Sequence, residues 1–222
     1  YRKSVVKTEQ QKLLEKLLTD TGESFSRIAD IACGGGSLTL HLRQKYPDAL
    51  FTLADFNPEA LKIARELNTG TNCTFKQENI YSLTFPDNSF DLVCCWQALS
   101  WLDEPEKALD ELVRVVKPGG RIYASSLFNI HHEVDIYAKI TDHTRKGFDR
   151  DHAATYNTYS AKLVGGWLEG KVQKFTFHEF IPSVDFFYDG RGLGTFTVKT
   201  EKDRLQVSGG YLMNWAILEI LK

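Results

Sequence analysis

Two acids and a run of three glycines are the residues best placed to do chemistry. In Asp30-Ile31-Ala32-Cys33-Gly34-Gly35-Gly36 the glycines let backbone approach a ligand closely, and a carboxylate stands just before them. A second carboxylate, Asp55, follows about 20 residues beyond the turn, the interval at which an acid can accept from both hydroxyls of a ribose. Either feature alone is weak; together they point to a nucleoside. The dinucleotide pattern G-x-G-x-x-G, counted from Gly34, requires glycine where Thr39 stands. A pyrophosphate also prefers an uncompensated helix N-terminus, whereas Asp30 puts negative charge near the turn. The pattern therefore favours a positively charged nucleoside over NAD.

These residues need a scaffold that brings the ends of two strands together, and the first half of the chain supplies one. Residues 3–18 read as an amphipathic helix, with Leu13, Leu14, Leu17 and Leu18 set among Lys, Glu and Gln. Residues 27–32 read as a strand, and Ser37 opens a helix after the glycine turn. Residues 49–54 are a second strand, and Asn57 followed by Pro58 is a helix start: a side-chain cap, then a residue suited to the first turn. Asn68-Thr69-Gly70 stops that helix. Residues 73–76 and 90–96 are two more strands, 105–116 a helix with Ala108, Leu109, Leu112, Val113 and Val116 on one face, and Pro118-Gly119-Gly120 turns into a fifth strand over 121–126.

Strands alternating with helices imply right-handed crossovers and a doubly wound, mostly parallel α/β sheet. The second half reads differently. Residues 130–170 are polar, His-rich and biased toward helix. Residues 172–184 and 195–207 then resemble two long strands, expected to close the sheet edge as an antiparallel hairpin around the turn 189–194. No linker or repeat divides the chain, so a single domain is expected over 1–222: an N-terminal helix (1–20), a ligand-binding core (27–126), a variable lid (130–170), and a C-terminal hairpin and tail (171–222).

Composition limits the partners. The 222 residues are 42% hydrophobic and 25% charged, as in ordinary globular proteins. The formal charge of −2 is interspersed, which argues against nucleic acid. No apolar run approaches the roughly 20 residues of a membrane-spanning helix, so no membrane partner and a cytoplasmic setting are expected. The four cysteines contain no CxxC, which signals neither zinc nor disulfides, and no metal is expected. Adjacent Cys94 and Cys95, in a strand destined for burial, read as packing. Phe175, Phe177, Phe180, Phe186, Phe187 and Tyr188 alternate as strand residues do, and packing comes first for them too.

Four segments in order resemble the class I S-adenosylmethionine-dependent methyltransferases, particularly the small-molecule group related to ubiquinone and menaquinone biosynthesis. Residues 28–36 resemble the first motif, and Leu53-Ala54-Asp55-Phe56-Asn57-Pro58-Glu59 the acidic end of strand two. Residues 83–93 resemble the approach to strand four, and Arg114-Val115-Val116-Lys117-Pro118-Gly119-Gly120 completes the set. The resemblance implies a Rossmann-like fold and S-adenosylmethionine as cofactor, with S-adenosylhomocysteine as product. It further implies that Asp30, Ala32, Cys33, Gly34 and Gly36 hold the methionine part, that Asp55 takes the ribose with Phe56 against adenine, that Asn79 and Ile80 line the adenine edge, and that Trp96 and Gln97 lie beside the methyl. This chain departs from the pattern with Ala32 for the usual first glycine, Asn79 for a common acid and Ser100 where relatives often carry His.

Methyl transfer is an in-line displacement, so the protein mainly aligns the acceptor and excludes water. A hydroxyl, ammonium or acidic carbon acceptor would need a base. Candidates are His131, His132, His143, His152, Tyr156 and Tyr159, of which His131 is preferred because it follows strand five. Trp96 leans toward the pocket, Trp101 equally toward pocket or core. The expected partner is a small-molecule methyl acceptor. An NAD-dependent oxidoreductase and a non-catalytic cofactor-binding protein are the alternatives.

Overall fold

The computed structural model describes residues 7–140, 154–187, 195–208, 211–213 and 215–222. Helix α1 (Glu9–Asp20) starts on a capping box: Thr8 Oγ1 accepts from the Gln11 N–H, and the Gln11 side chain accepts from the Thr8 N–H. That cap starts the helix at Glu9, and residues 3–6 of the expected span lie outside the described residues. Next come β1 (Arg27–Ile31), α2 (Ser37–Lys45), β2 (Leu50–Asp55), α3 (Pro58–Leu67), β3 (Cys73–Gln77) and β4 (Phe90–Trp96), then a single helical turn (Leu99–Trp101), α4 (Pro105–Val115) and β5 (Val116–Ser126). Asn57 caps α3 by accepting from the Glu59 N–H at 2.9 Å, and Pro58 occupies its first position.

After β5 come α5 (Ala161–Leu168), β6 (Lys174–Phe180) and β7 (Trp215–Leu221). The seven strands form one sheet in the order β6-β7-β5-β4-β1-β2-β3. Strands β1 to β5 run parallel, and β7 runs antiparallel to both β5 and β6. This is the expected mostly parallel, doubly wound α/β sheet with an antiparallel closure. Alternate side chains feed two cores. Val93, Cys95, Ile122, Ala124 and Leu218 pack with Leu109 and Leu112 of α4 and Val164 and Leu168 of α5. Leu92, Cys94, Tyr123 and Ile217 share the other core with Leu14 and Leu18 of α1 and Leu38 and Leu42 of α2. Each fully buried leucine contributes about 1.5–3 kcal/mol of transfer free energy.

The second half corrects two expectations. Residues 172–184 do contain a strand, but its partner is β7, with Lys174 opposite Leu221 and Phe180 opposite Trp215. Residues 195–207 instead hold two strands, Thr195–Lys199 and Arg204–Ser208, which join Tyr211–Met213 in a separate three-stranded sheet. The bend at 200–203 explains the split: Thr200 Oγ1 accepts from the Lys202 and Asp203 N–H groups at 3.3 and 2.8 Å, a local turn that ends the strand. In 130–170 helix is confined to α5 among the described residues, while Lys139–Ile140 pairs antiparallel with Ala154–Thr155. His143, His152, Tyr188 and the turn 189–194 lie outside the described residues. No helix among the described residues is long and apolar enough to cross a membrane.

Candidate functional site

The carboxyl ends of β1, β2, β3 and β4 open onto one cavity of about 880 Å³. It lies where the chain order of the strands reverses, between β1 and β4, which is where open α/β sheets leave a crevice. Its size suits a nucleoside cofactor with room beyond it.

The glycine turn forms one wall. The Cys33 N–H donates to the Ala54 carbonyl at 3.0 Å, and Gly36 closes the turn by donating to the Cys33 carbonyl at 2.9 Å. Ala32 and Gly34 both hold left-handed backbone, with φ of 56° and 53°. For alanine this conformation costs about 1 kcal/mol, a strain maintained where the usual glycine is replaced. A Cβ built on Gly34 would meet nothing within 4 Å, so this backbone faces open space, as a ligand cradle requires. Gly36 is different. Its φ is 73°, and a Cβ there would lie 2.6 Å from Asn68 Nδ2, 3.0 Å from Leu53 and 3.1 Å from Ala64. Gly36 is therefore needed for packing between α2 and α3 and does not line the cavity.

Asp55 ties the turn to the next strand. Its Oδ2 accepts from the Gly34 N–H at 2.7 Å and its Oδ1 from the Asn57 N–H at 2.9 Å, leaving a lone pair on each oxygen for a diol. Beside it Phe56 is 72% exposed, an apolar ring uncovered at the cavity mouth. Ala32, Cys33, Asn79, Ile80, Trp96 and Gln97 also line the cavity, so nine of the eleven residues expected around the cofactor converge there.

Asp30 lies beneath the turn instead. It is fully buried, its Oδ2 accepts from the Thr39 hydroxyl at 2.7 Å, and its Oδ1 has no partner. Burial pushes this carboxyl up to about 7 and nearby Asp55 adds to the effect, while the Thr39 bond opposes both. Thr39, which breaks the dinucleotide pattern, is thus the residue whose hydroxyl holds one oxygen of Asp30. Burial also raises the Cys33 and Cys95 thiols, Cys95 to about 12, so both stay protonated at neutral pH.

The structure does not bring the preferred base to the cavity. His131 is exposed and pairs through Nε2 with Glu179 at 2.8 Å, and it is no part of the cavity wall. Tyr159 is buried and structural: its hydroxyl receives the Asn157 amide at 3.0 Å and donates toward the Leu99 carbonyl at 3.3 Å. Burial raises it to about 12. Tyr156 packs its ring 4.6 Å from Trp101, which lines the cavity and is 52% exposed. Ser100 has its hydroxyl 2.6 Å from that of Ser126 inside the core, not in the cavity.

Several wall residues carried no expectation. Glu78 is buried, with its carboxylate accepting from the Thr84 N–H at 2.9 Å and from the Thr84 hydroxyl. Tyr81 is fixed by the Asp103 N–H donating to its hydroxyl at 2.9 Å. Ile63 and Leu67 reach the wall from α3. Only these two left a sequence signal: they form an i, i+4 apolar stripe beside the Ala60, Leu61 and Ala64 face that α3 uses for its core.

Comparison with known proteins agrees with this geometry. Residues 29–124 match the family model described as a methyltransferase domain. A demethylmenaquinone methyltransferase of Thermus thermophilus is 41% identical over 98 residues, covering 43% of this chain and 44% of that protein. The chain spans less than half the length of the curated relatives it matches. Among solved structures, a SAM-dependent methyltransferase of Methanosarcina mazei aligns with a TM-score of 0.59 at 20% identity, covering 92% of this chain and 96% of that one. DhpI in complex with SAH aligns with a TM-score of 0.60 at 17% identity, covering 93% of this chain and 80% of that one. Residues 29–124 thus resemble a methyltransferase domain, and the chain has the Rossmann-like α/β fold of these solved structures.

Proposed function

We propose that the chain is an S-adenosylmethionine-dependent methyltransferase acting on a small-molecule acceptor. The observation that carries this reading is the Asp55 carboxylate, bonded to Gly34 with lone pairs to spare, beside the uncovered Phe56 ring. The residues present fit the cofactor: an open backbone cradle at Gly34, a diol acceptor at Asp55 and an aromatic face at Phe56. Asn79 and Ile80 would border the adenine, and Trp96 and Gln97 the methyl end. Bound there, S-adenosylmethionine would supply an electrophilic methyl group. The protein's part is alignment and exclusion of water, for which buried Ile31, Leu38 and Ile80 are suited.

The matched relative's name, a demethylmenaquinone methyltransferase, supports a small, partly apolar acceptor. Trp101, backed by Tyr156, supports placing that acceptor beside the loop after β4. His131 receives no role in the reaction, because its ring is engaged with Glu179 away from the wall. Calorimetric titration with S-adenosylhomocysteine and, separately, NADH tests the reading. Micromolar binding of S-adenosylhomocysteine that weakens in Asp55→Ala supports it, and binding of NADH alone overturns it.

A further inference from the structure

Gln97 sits at the cavity wall in a conformation that non-glycine residues avoid, with φ of 57°. Its backbone N–H is held by the Ser125 carbonyl at 2.9 Å and the Ser125 hydroxyl at 3.1 Å. Its side chain is held as firmly. Nε2 donates to Ser125 Oγ at 3.2 Å and to Oε1 of Gln10 at 2.9 Å. Both amide protons are therefore engaged by the protein, and the group left to face the cavity is the carbonyl oxygen.

The partner is unexpected. Gln10 lies in the first turn of α1, well upstream of the methyltransferase-domain match at 29–124. It is only 5% exposed, and its own Nε2 has no partner, so among the described residues its side chain's one hydrogen bond is the one to Gln97. The neighbouring residue, Glu9, anchors the same turn by accepting from the Ser183 N–H at 2.7 Å. The first turn of α1 is thus fixed from two sides, and between them it holds an amide against the cavity wall.

We infer that Gln10 is a positioning residue for the methyl-transfer site: it turns the Gln97 carbonyl oxygen toward the place where the methyl group and its acceptor meet. A carbonyl there accepts from an O–H or N–H acceptor and favours the positively polarised methyl. A cationic donor at the methyl position should feel it, and a ligand with nothing there should not. The inference rests on the cofactor reading proposed above, so its test separates the two.

The test uses two ligands that differ at that position, S-adenosylhomocysteine and sinefungin, which carries an amine on carbon where the cofactor carries methyl on sulfur. Gln10→Met removes the acceptor for Gln97 and also an unpartnered buried donor, so packing and folding are retained. In this variant sinefungin affinity is expected to fall about tenfold, with S-adenosylhomocysteine within twofold of the parent protein, the tenfold change being the loss of one well-oriented hydrogen bond. Gln10→Glu offers Gln97 an acceptor in either protonation state and is expected to restore sinefungin binding, which keeps the test open should the Met variant fold poorly. A parallel loss of both ligands, no change in either, or no recovery in Gln10→Glu overturns the inference. A parent protein that binds neither ligand overturns the cofactor reading instead, and this inference with it.

Discussion

The two halves of the chain follow different rules. From β1 to β5 each strand pairs in parallel with a neighbour reached through a short crossover, and the cavity is built from the loops at one edge. From residue 127 onward, the described strands that join this sheet do so antiparallel, and the later one, β7, takes the place beside β5. β6 and β7 pair only after a separate three-stranded sheet has been inserted between them. The first half is specified by local signals, and the second by which apolar strand can occupy the slot beside β5. Burial of Ala216, Ile217, Leu218 and Ile220 decides that β7 takes it.

The largest effect should come from breaking the tightest point of the first half. Gly36→Ala places a Cβ 2.6 Å from Asn68 Nδ2 on backbone with φ of 73°, and a loss of about 3 kcal/mol in stability is expected by denaturant titration. Little change would show that α2 and α3 can part freely. Next, Asp55→Ala should weaken S-adenosylhomocysteine by about 30-fold, roughly 2 kcal/mol for the lost charge-assisted bonds, measured by calorimetry.

The acids of the two halves should respond to pH in opposite directions. Asp30, raised to about 7, is protonated in the folded chain at pH values where the unfolded chain has already lost that proton. Stability therefore falls as pH rises from about 4 to 7. Asp30→Asn should add roughly 1–3 kcal/mol at pH 8 and nothing below about pH 4. In the second half Glu219 is held down to about 2, chiefly by His178 at 2.8 Å, then by Tyr123 at 2.8 Å and Arg121 at 2.6 Å, against the opposing effect of burial. Its contribution is present above about pH 4.5 and lost as pH falls through 2. Glu219→Gln should cost about 1–2 kcal/mol at pH 7, with the two unfolding curves converging in acid. Parallel pH profiles for these two variants would erase the contrast between the halves. The smallest effect is expected from His131→Ala, which removes an exposed hydrogen bond to Glu179 and should move stability by less than about 0.5 kcal/mol.

Much of the site was legible because its residues fall at helix starts and strand ends. Asn57 and Pro58 mark the start of α3, which fixes Asp55 and Phe56 just before it, and the glycines mark the turn before α2. Glu78 and Tyr81 were not legible, since nothing local distinguishes a wall residue from a solvated one in an irregular loop. His131 shows the converse: placed correctly after β5, it is drawn to Glu179 by the side-by-side packing of segments distant in sequence.

The sequence by itself determined the parallel core, the glycine turn and the place of Asp55 at the end of β2, because caps, breakers and apolar period act within a few residues. Only the tertiary structure decided that Asp30 and Gly36 serve the turn from behind, that β7 enters between β5 and β6, and that Gln10 reaches Gln97. Those outcomes depend on contacts between distant segments, where close packing and the demand to satisfy buried polar groups select one arrangement.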